Sequence, residues 1–338
     1  MLPARRRRLP GNLSSPERSC RQRLERARHP PPQGPRSDRQ GAPRGAEKAV
    51  TQDPEIRVTW NIHWSCNYRC SYCLFDGHWT DYGKRNAYLT PDEWLVHWKR
   101  LHERHGRAYV VINGGEPFAY PRFVTLLTEV SRMHWPINVT TNGSLHLDDY
   151  LRHVDHSKVS LSLSFHPQYH TVQEFLTIVR KVREGGVQLG CLNFVAWPPM
   201  LADLPAVLEA FKASGESLKV IPFIGQWREA RYPDAYSPDE KALLGMTAGE
   251  PGEKDWLAGK RRKGMLCRAG HRSALLLPDG KVTRCGQIGD PGIFSDFLAD
   301  GFRLLDAPAP CGVELCPCDE WKVIPDEKTP DQAGAWLP

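Results

Sequence analysis

From about residue 56 the chain alternates short apolar runs with longer amphipathic stretches, the pattern of consecutive βα units around a parallel sheet. Six runs read as strands, at 57–63, 108–113, 137–141, 158–165, 188–195 and 218–224. The stretches between them carry helix starts. Thr90-Pro91-Asp92-Glu93 is a capping box with proline at the first helical position, and its helix runs to about His105. Thr171-Val172-Gln173-Glu174 is a second box, and Gly185-Gly186 stops that helix. The expected fold class is α/β over residues 51–225, with a small C-terminal domain, and a series of six parallel βα units resembles a partial (β/α)6 TIM-like barrel.

After Gly225 the texture changes. Residues 226–264 are rich in charge, Pro and Gly and read as a linker with one helix over 237–244. Ser273 to Leu277 and Lys281 to Thr283 flank Pro278-Asp279-Gly280, which predicts a hairpin inside a small domain at 265–325, ahead of a tail at 326–338. At the other end, residues 1–50 show no apolar periodicity and are crowded with Pro, Gly, Ser and Arg. Such a segment buries too little to offset the entropy of ordering, so it is expected to be disordered.

Charge alters one inference. The formal net charge is +6, but residues 1–50 alone hold an excess of nine positive charges, so the rest of the chain sums to −3. A basic protein overall is therefore a mildly acidic body with a basic tail, which argues against nucleic acid as its partner and leaves the Arg5–Arg8 run as a solvated tail or an electrostatic arm. No stretch has the length of a membrane span, and no apolar core follows the first arginines as a secretory signal needs. Ten cysteines in such a chain point to metal, and to a reducing, cytoplasmic setting.

Three of those cysteines share one loop, Cys66-Asn67-Tyr68-Arg69-Cys70-Ser71-Tyr72-Cys73. Soft thiolates select iron-sulfur or zinc, and three of them hold a cubane cluster with one iron left open. Asn113-Gly114-Gly115-Glu116-Pro117 follows the second strand, where two glycines allow a close backbone approach and a carboxylate suits an ammonium. Thr140-Thr141-Asn142-Gly143 ends the third strand, as a ligand contact or simply an Asn-Gly turn. Ser160, Ser162 and Ser164 share one face of the fourth strand. His166 and His170 flank its exit, as acid-base candidates or packed side chains, and Asn193 lies on the fifth strand. A second cysteine set, Cys267 and Cys285 around the hairpin with Cys311, Cys316 and Cys318 after it, offers five thiols for a four-thiolate cluster or a zinc site.

The CxxxCxxC spacing with Tyr72 before the last cysteine, joined to the Gly114–Pro117 segment one βα unit later, resembles the radical S-adenosylmethionine (radical SAM) superfamily. That resemblance implies a 4Fe-4S cluster on Cys66, Cys70 and Cys73 whose open iron is chelated by the amino and carboxylate groups of SAM. It implies reductive cleavage of SAM to a 5′-deoxyadenosyl radical that takes a hydrogen atom from a substrate, either a small molecule or carbohydrate or a peptide. Gly114, Gly115, Glu116 and Pro117 are then expected to hold the SAM amino group, with Asn142, Ser162, Ser164 and Asn193 as further SAM contacts beside Tyr72. Cys267-x12-Gly280-x4-Cys285 resembles the signature of SPASM and twitch extensions, implying an auxiliary 4Fe-4S cluster. The preferred ligands are Cys267, Cys285, Cys316 and Cys318, with Cys311 the alternate. An electron donor such as flavodoxin or ferredoxin is the expected partner, and the rival reading is a non-catalytic iron-sulfur regulator.

Overall fold

The computed structural model describes residues 56–74, 78–246, 260–261 and 263–316. The expected tails at 1–50 and 326–338, part of the linker, and Cys318 lie outside the described residues. The six expected strands are all present, as β1 (Ile56–Asn61), β2 (Ala108–Asn113), β3 (Ile137–Thr141), β4 (Val159–Ser164), β5 (Leu189–Ala196) and β6 (Leu218–Pro222). Helices α1 (Trp79–Gly83), α2 (Pro91–His105), α3 (Phe123–Met133), α4 (Leu147–His153), α5 (Val172–Glu184) and α6 (Leu204–Ala213) fall between them. Each strand pairs in parallel with the next, so β1 to β6 form the wall of an open barrel.

The wall has two unlike faces because side chains alternate along a strand. Val58, Trp60, Val110, Ile112, Val139, Leu161, Leu163 and Phe194 are buried under the helices. Trp60 meets Trp94 and Trp98 of α2 at ring separations of 4.9 and 5.0 Å, and Phe165 meets Phe175 of α5 and Phe211 of α6. The opposite face is more polar, with Asn138, Ser160, Ser162, Ser164 and Asn193 on it. Both expected capping boxes form: Glu93 N donates to Thr90 Oγ1 at 3.3 Å while Thr90 N donates to Glu93 Oε2 at 2.7 Å, and Thr171 with Glu174 repeats the geometry.

Beyond β6 come a short hairpin, β7 (Gly225–Trp227) with β8 (Ala230–Tyr232), and helix α7 (Pro238–Leu243). The remaining strands are β9 (Lys260–Arg261), β10 (Leu266–Cys267), β11 (Ser273–Leu276), β12 (Lys281–Thr283), β13 (Ile293–Asp296), β14 (Ala309–Pro310) and β15 (Leu315–Cys316). The expected hairpin is β11 and β12, closed through Gly280, whose φ of +83° suits a residue without a Cβ.

One feature of that hairpin has no trace in the local pattern. β11 pairs in parallel with β1, Arg57 opposite Ser273 and Trp60 opposite Leu276, so β11, β12 and β13 extend the barrel wall into a nine-stranded sheet. Phe297 then packs against Trp98 at 5.1 Å, and Phe302 and Leu304 join the main core. The C-terminal segment is thus built onto the barrel. Among the described residues, no helix is long and apolar enough to cross a membrane.

Candidate functional site

The first cysteine loop leaves β1 and is held against the carboxyl ends of β2 and β3. Gly115 N donates to the His63 carbonyl at 2.8 Å and Glu116 N to the Ser65 carbonyl at 2.9 Å, immediately before Cys66. The two backbones are so close that a Cβ at Gly114 would lie 2.3 Å from His63 O, and one at Gly115 would lie 2.1 Å from Ser65 O. The glycine pair therefore serves an approach of backbone to backbone, where the sequence suggests an approach to a ligand.

Glu116 is buried and its carboxylate accepts three hydrogen bonds: from Phe118 N at 3.0 Å, Thr141 Oγ1 at 2.7 Å and Asn142 N at 2.7 Å. Burial pushes its carboxyl above the usual range, and those donors oppose the shift. The side chain joins the β2 segment to the β3 turn. Asn142 continues the chain of contacts, with its Nδ2 donating to Asn67 Oδ1 at 3.0 Å, while Asn67 Nδ2 donates to Ser144 Oγ at 2.9 Å. Two of the expected site segments, Gly114–Glu116 and Asn142, are thereby brought onto the cysteine loop.

The loop after β4 covers the same eight residues from the other side. Tyr68 stacks on Tyr169 at 3.8 Å, and its hydroxyl lies 2.7 Å from His170 Nε2. Ser71 and Gln168 exchange two hydrogen bonds at 3.0 and 2.9 Å. His166 Nδ1 sits 2.8 Å from the Tyr72 hydroxyl and 3.4 Å from Cys70 Sγ. Burial lowers the His166 pKa to about 4, with His170 adding to the shift, so the ring is neutral near pH 7. Such a setting suits a side chain that positions the cysteine loop better than one that donates a proton. Tyr169 and Gln168 were not singled out by the sequence, since neither a motif nor a periodicity marks them.

Cys66 and Cys70 are free thiols whose pKa values burial pushes up to about 11 and about 12. Cys66 Sγ already accepts a hydrogen bond from Tyr68 N at 3.3 Å. Three soft donors on one loop, one of them with a backbone donor in place, fit the ligand set of a cubane cluster.

Farther along the wall, Ser160, Ser162 and Asn138 satisfy one another. Asn138 Nδ2 donates to Ser160 Oγ at 2.9 Å and Ser162 Oγ to Asn138 Oδ1 at 3.0 Å. Ser162 also accepts from Cys191 N at 3.2 Å, so this expected SAM contact is engaged within the wall. Ser164 is level with Asn193 in the register of β4 and β5, and both are only partly buried.

Four of the five cysteines of the second set lie among the described residues. Cys267, Cys285, Cys311 and Cys316 pack into one buried cluster with Ala269. Cys311, the alternate by sequence, stands inside it, whereas the preferred Cys318 lies outside the described residues. Arg284 holds three parts of the cluster together: Nε donates to Ala269 O at 3.0 Å, Nη1 to Pro310 O at 2.7 Å and Nη2 to Ala309 O at 2.8 Å. No sequence signal marked Arg284. Among the described residues, no three His, Cys, Asp or Glu side chains close on a point as one metal ion requires.

Residues 60–211 match the family profile of the Radical SAM superfamily. A probable GTP 3′,8-cyclase of Methanocaldococcus jannaschii is 26% identical over 170 residues, 47% of this chain and 56% of that protein. The GTP 3′,8-cyclase of Rippkaea orientalis is 35% identical over 82 residues, 24% of this chain and 25% of its own. An S-adenosylmethionine-dependent nucleotide dehydratase of a Thermoplasmatales archaeon is 30% identical over 95 residues, 28% of this chain and 32% of that one. The chain thus spans between a quarter and about half of these relatives. Among solved structures, anSMEcpe with bound AdoMet shares the fold at a TM-score of 0.52 and 17% identity, covering 72% of this chain and 78% of that one.

Proposed function

From the match of residues 60–211 to the Radical SAM superfamily profile, we propose that the chain reductively cleaves S-adenosylmethionine and abstracts a hydrogen atom from a small-molecule substrate. The observation that carries this reading is the clamp on Cys66, Cys70 and Cys73, made on one side by Gly114–Glu116 and Asn142 and on the other by the loop from His166 to His170. The three thiolates would hold a 4Fe-4S cluster, which together with SAM supplies a carbon-centred radical. The protein's own part is to fix the loop and to present polar groups at the carboxyl ends of the strands. Glu116 is already stapled to β3, so its role toward SAM is chiefly to shape the backbone that receives the amino group. A small-molecule substrate is favoured by the relatives named as acting on GTP and nucleotides. A flavodoxin-like or ferredoxin-like donor would supply the electron.

For the second cysteine set we propose an auxiliary 4Fe-4S cluster of the twitch kind on Cys267, Cys285, Cys311 and Cys316, because these four sulfurs share one buried patch. One experiment tests both parts. Anaerobically reconstituted protein should bind about eight irons as two cubanes and form 5′-deoxyadenosine from SAM and dithionite. Changing Cys66, Cys70 and Cys73 to Ala should halve the iron and abolish that product, and Cys311→Ser should halve the iron where Cys318→Ser leaves it intact. A wild type that yields no 5′-deoxyadenosine defeats the enzyme reading; about four irons with one zinc defeats the auxiliary cluster.

A further inference from the structure

Residues Arg85 to Tyr88 follow α1 and lie outside every helix and strand, yet their contacts reach two distant parts of the chain. Asn86 Oδ1 accepts a hydrogen bond from Trp64 N at 2.8 Å, and Asn86 Nδ2 donates to Ser65 Oγ at 3.2 Å and to the Tyr88 hydroxyl at 3.0 Å. Ser65 Oγ and the Tyr88 hydroxyl are themselves 2.6 Å apart. One side-chain amide thus holds the two residues immediately before Cys66. Gly115 N already takes the His63 carbonyl, and Asn86 takes the amide of the same peptide unit. A trans peptide points its C=O and N–H in opposite directions, so this unit is pinned from both sides.

The residues flanking Asn86 are tied to the C-terminal hairpin. Ala87 N donates to Pro278 O at 2.9 Å, in the turn between β11 and β12. The Arg85 guanidinium stands between two carboxylates, with Nε 3.7 Å from Asp279 Oδ2 in that turn and Nη2 3.2 Å from Asp290 Oδ1. Asp290 follows the loop that leaves Cys285, which Gly289 N closes by donating to Cys285 O at 3.3 Å. Trp64 repeats the link through apolar contact, because it packs with Leu275 of β11 and with Leu277. Asp290 is exposed, so its ion pair is weak alone. The backbone bond at Ala87 and the Trp64 packing carry the same connection without charge.

We propose that Asn86 is a positioning residue for the first cysteine loop, and that the β11–β12 hairpin acts through it on the placement of Cys66. The assignment rests on the radical SAM reading and adds to it a role for the C-terminal segment that needs no second cluster. A reacting centre displaced by about 1 Å loses on the order of a hundredfold in rate. Asn86 therefore matters less for whether iron is held than for where it is held.

The test uses the full chain, anaerobically reconstituted, with three readouts: iron per chain, amide hydrogen exchange in peptides covering Trp64 and Ser65, and 5′-deoxyadenosine formed from SAM with dithionite. Asn86→Ala should leave iron and the thermal midpoint unchanged, raise exchange at Trp64 about tenfold, as loss of one hydrogen bond does, and slow 5′-deoxyadenosine formation about tenfold or more. Asp279→Asn combined with Asp290→Asn alters only the far end of the link. It should raise exchange at Trp64 by about threefold, the size of an exposed ion pair. Unchanged exchange at Trp64 in Asn86→Ala, or a wild-type rate of 5′-deoxyadenosine formation by that variant, overturns the positioning role. So does loss of half its iron, because Asn86 would then be a support of the ligand loop and nothing more. Exchange raised by Asn86→Ala but unmoved by the paired carboxylate change overturns the action of the hairpin. Failure of the radical SAM reading shows separately, as absence of 5′-deoxyadenosine from the wild type while the exchange differences persist.

Discussion

A single missing methyl decides where the first cysteine loop can lie. Gly115 has its would-be Cβ 2.1 Å from Ser65 O, a backbone atom that no side-chain rotation can move aside. Gly115→Ala should therefore push the 63–65 backbone away from β2 and spoil the placement of Cys66 without emptying the hydrophobic core. The expected result is loss of about half the reconstituted iron, with the second cysteine set still loaded; retention of all the iron would show that the loop tolerates the shift. The place of Gly114-Gly115-Glu116 after a strand was legible, but the close approach to residues 63–65 that the glycines permit was not. Sequence shows which residues are small, and only the fold shows what comes close to them. Cys311 is a similar case, because five thiols along a chain do not reveal that it shares a buried patch with Cys267, Cys285 and Cys316.

Between α2, α3 and β2, one imidazole joins elements. His134 directly follows α3, accepts a hydrogen bond at Nδ1 from Ala108 N of β2 at 3.0 Å, and its Nε2–H donates to Trp98 O of α2 at 3.0 Å. The ring must be neutral to do both, because protonation of Nδ1 would set it against the Ala108 N–H. Burial lowers its pKa to about 4, with His102 a lesser cause. The folded pKa lies below the unfolded one, so the unfolded chain binds the extra proton between about pH 6.5 and 4. This contribution to stability is complete above pH 6.5 and is lost as pH falls toward 4. In urea unfolding, the stability difference between pH 7.5 and pH 5 should shrink by about 2 kcal/mol in His134→Gln; an undiminished difference would exclude the ring as its source. At this scale the sequence was most informative. Strands β2 and β3 and both capping boxes stand where period and caps place them, since those signals are local. The β7–β8 hairpin was missed because a run of charge, Pro and Gly has no period to read.

Across the whole molecule, the least legible contact is the pairing of β1 with β11. Neither strand's pattern names its partner, and an apolar run without strict alternation fits an interior strand on either side. The consequence concerns synthesis. A ribosome delivers β1 well before β11, so until β11 emerges the first strand of the barrel has only β2 beside it and leaves an open edge of unpaired amides and carbonyls. Long-range parallel pairing of this kind is slow to form. A chain stopped after residue 225, at the boundary the sequence suggests for a self-sufficient barrel, should expose that edge permanently. It should gather into aggregates or pull down chaperones during expression, while the full chain remains dispersed; a soluble, cooperatively unfolding 1–225 fragment would show that the edge protects itself. Strands β11 to β13 thus act as the cap that makes β1 safe.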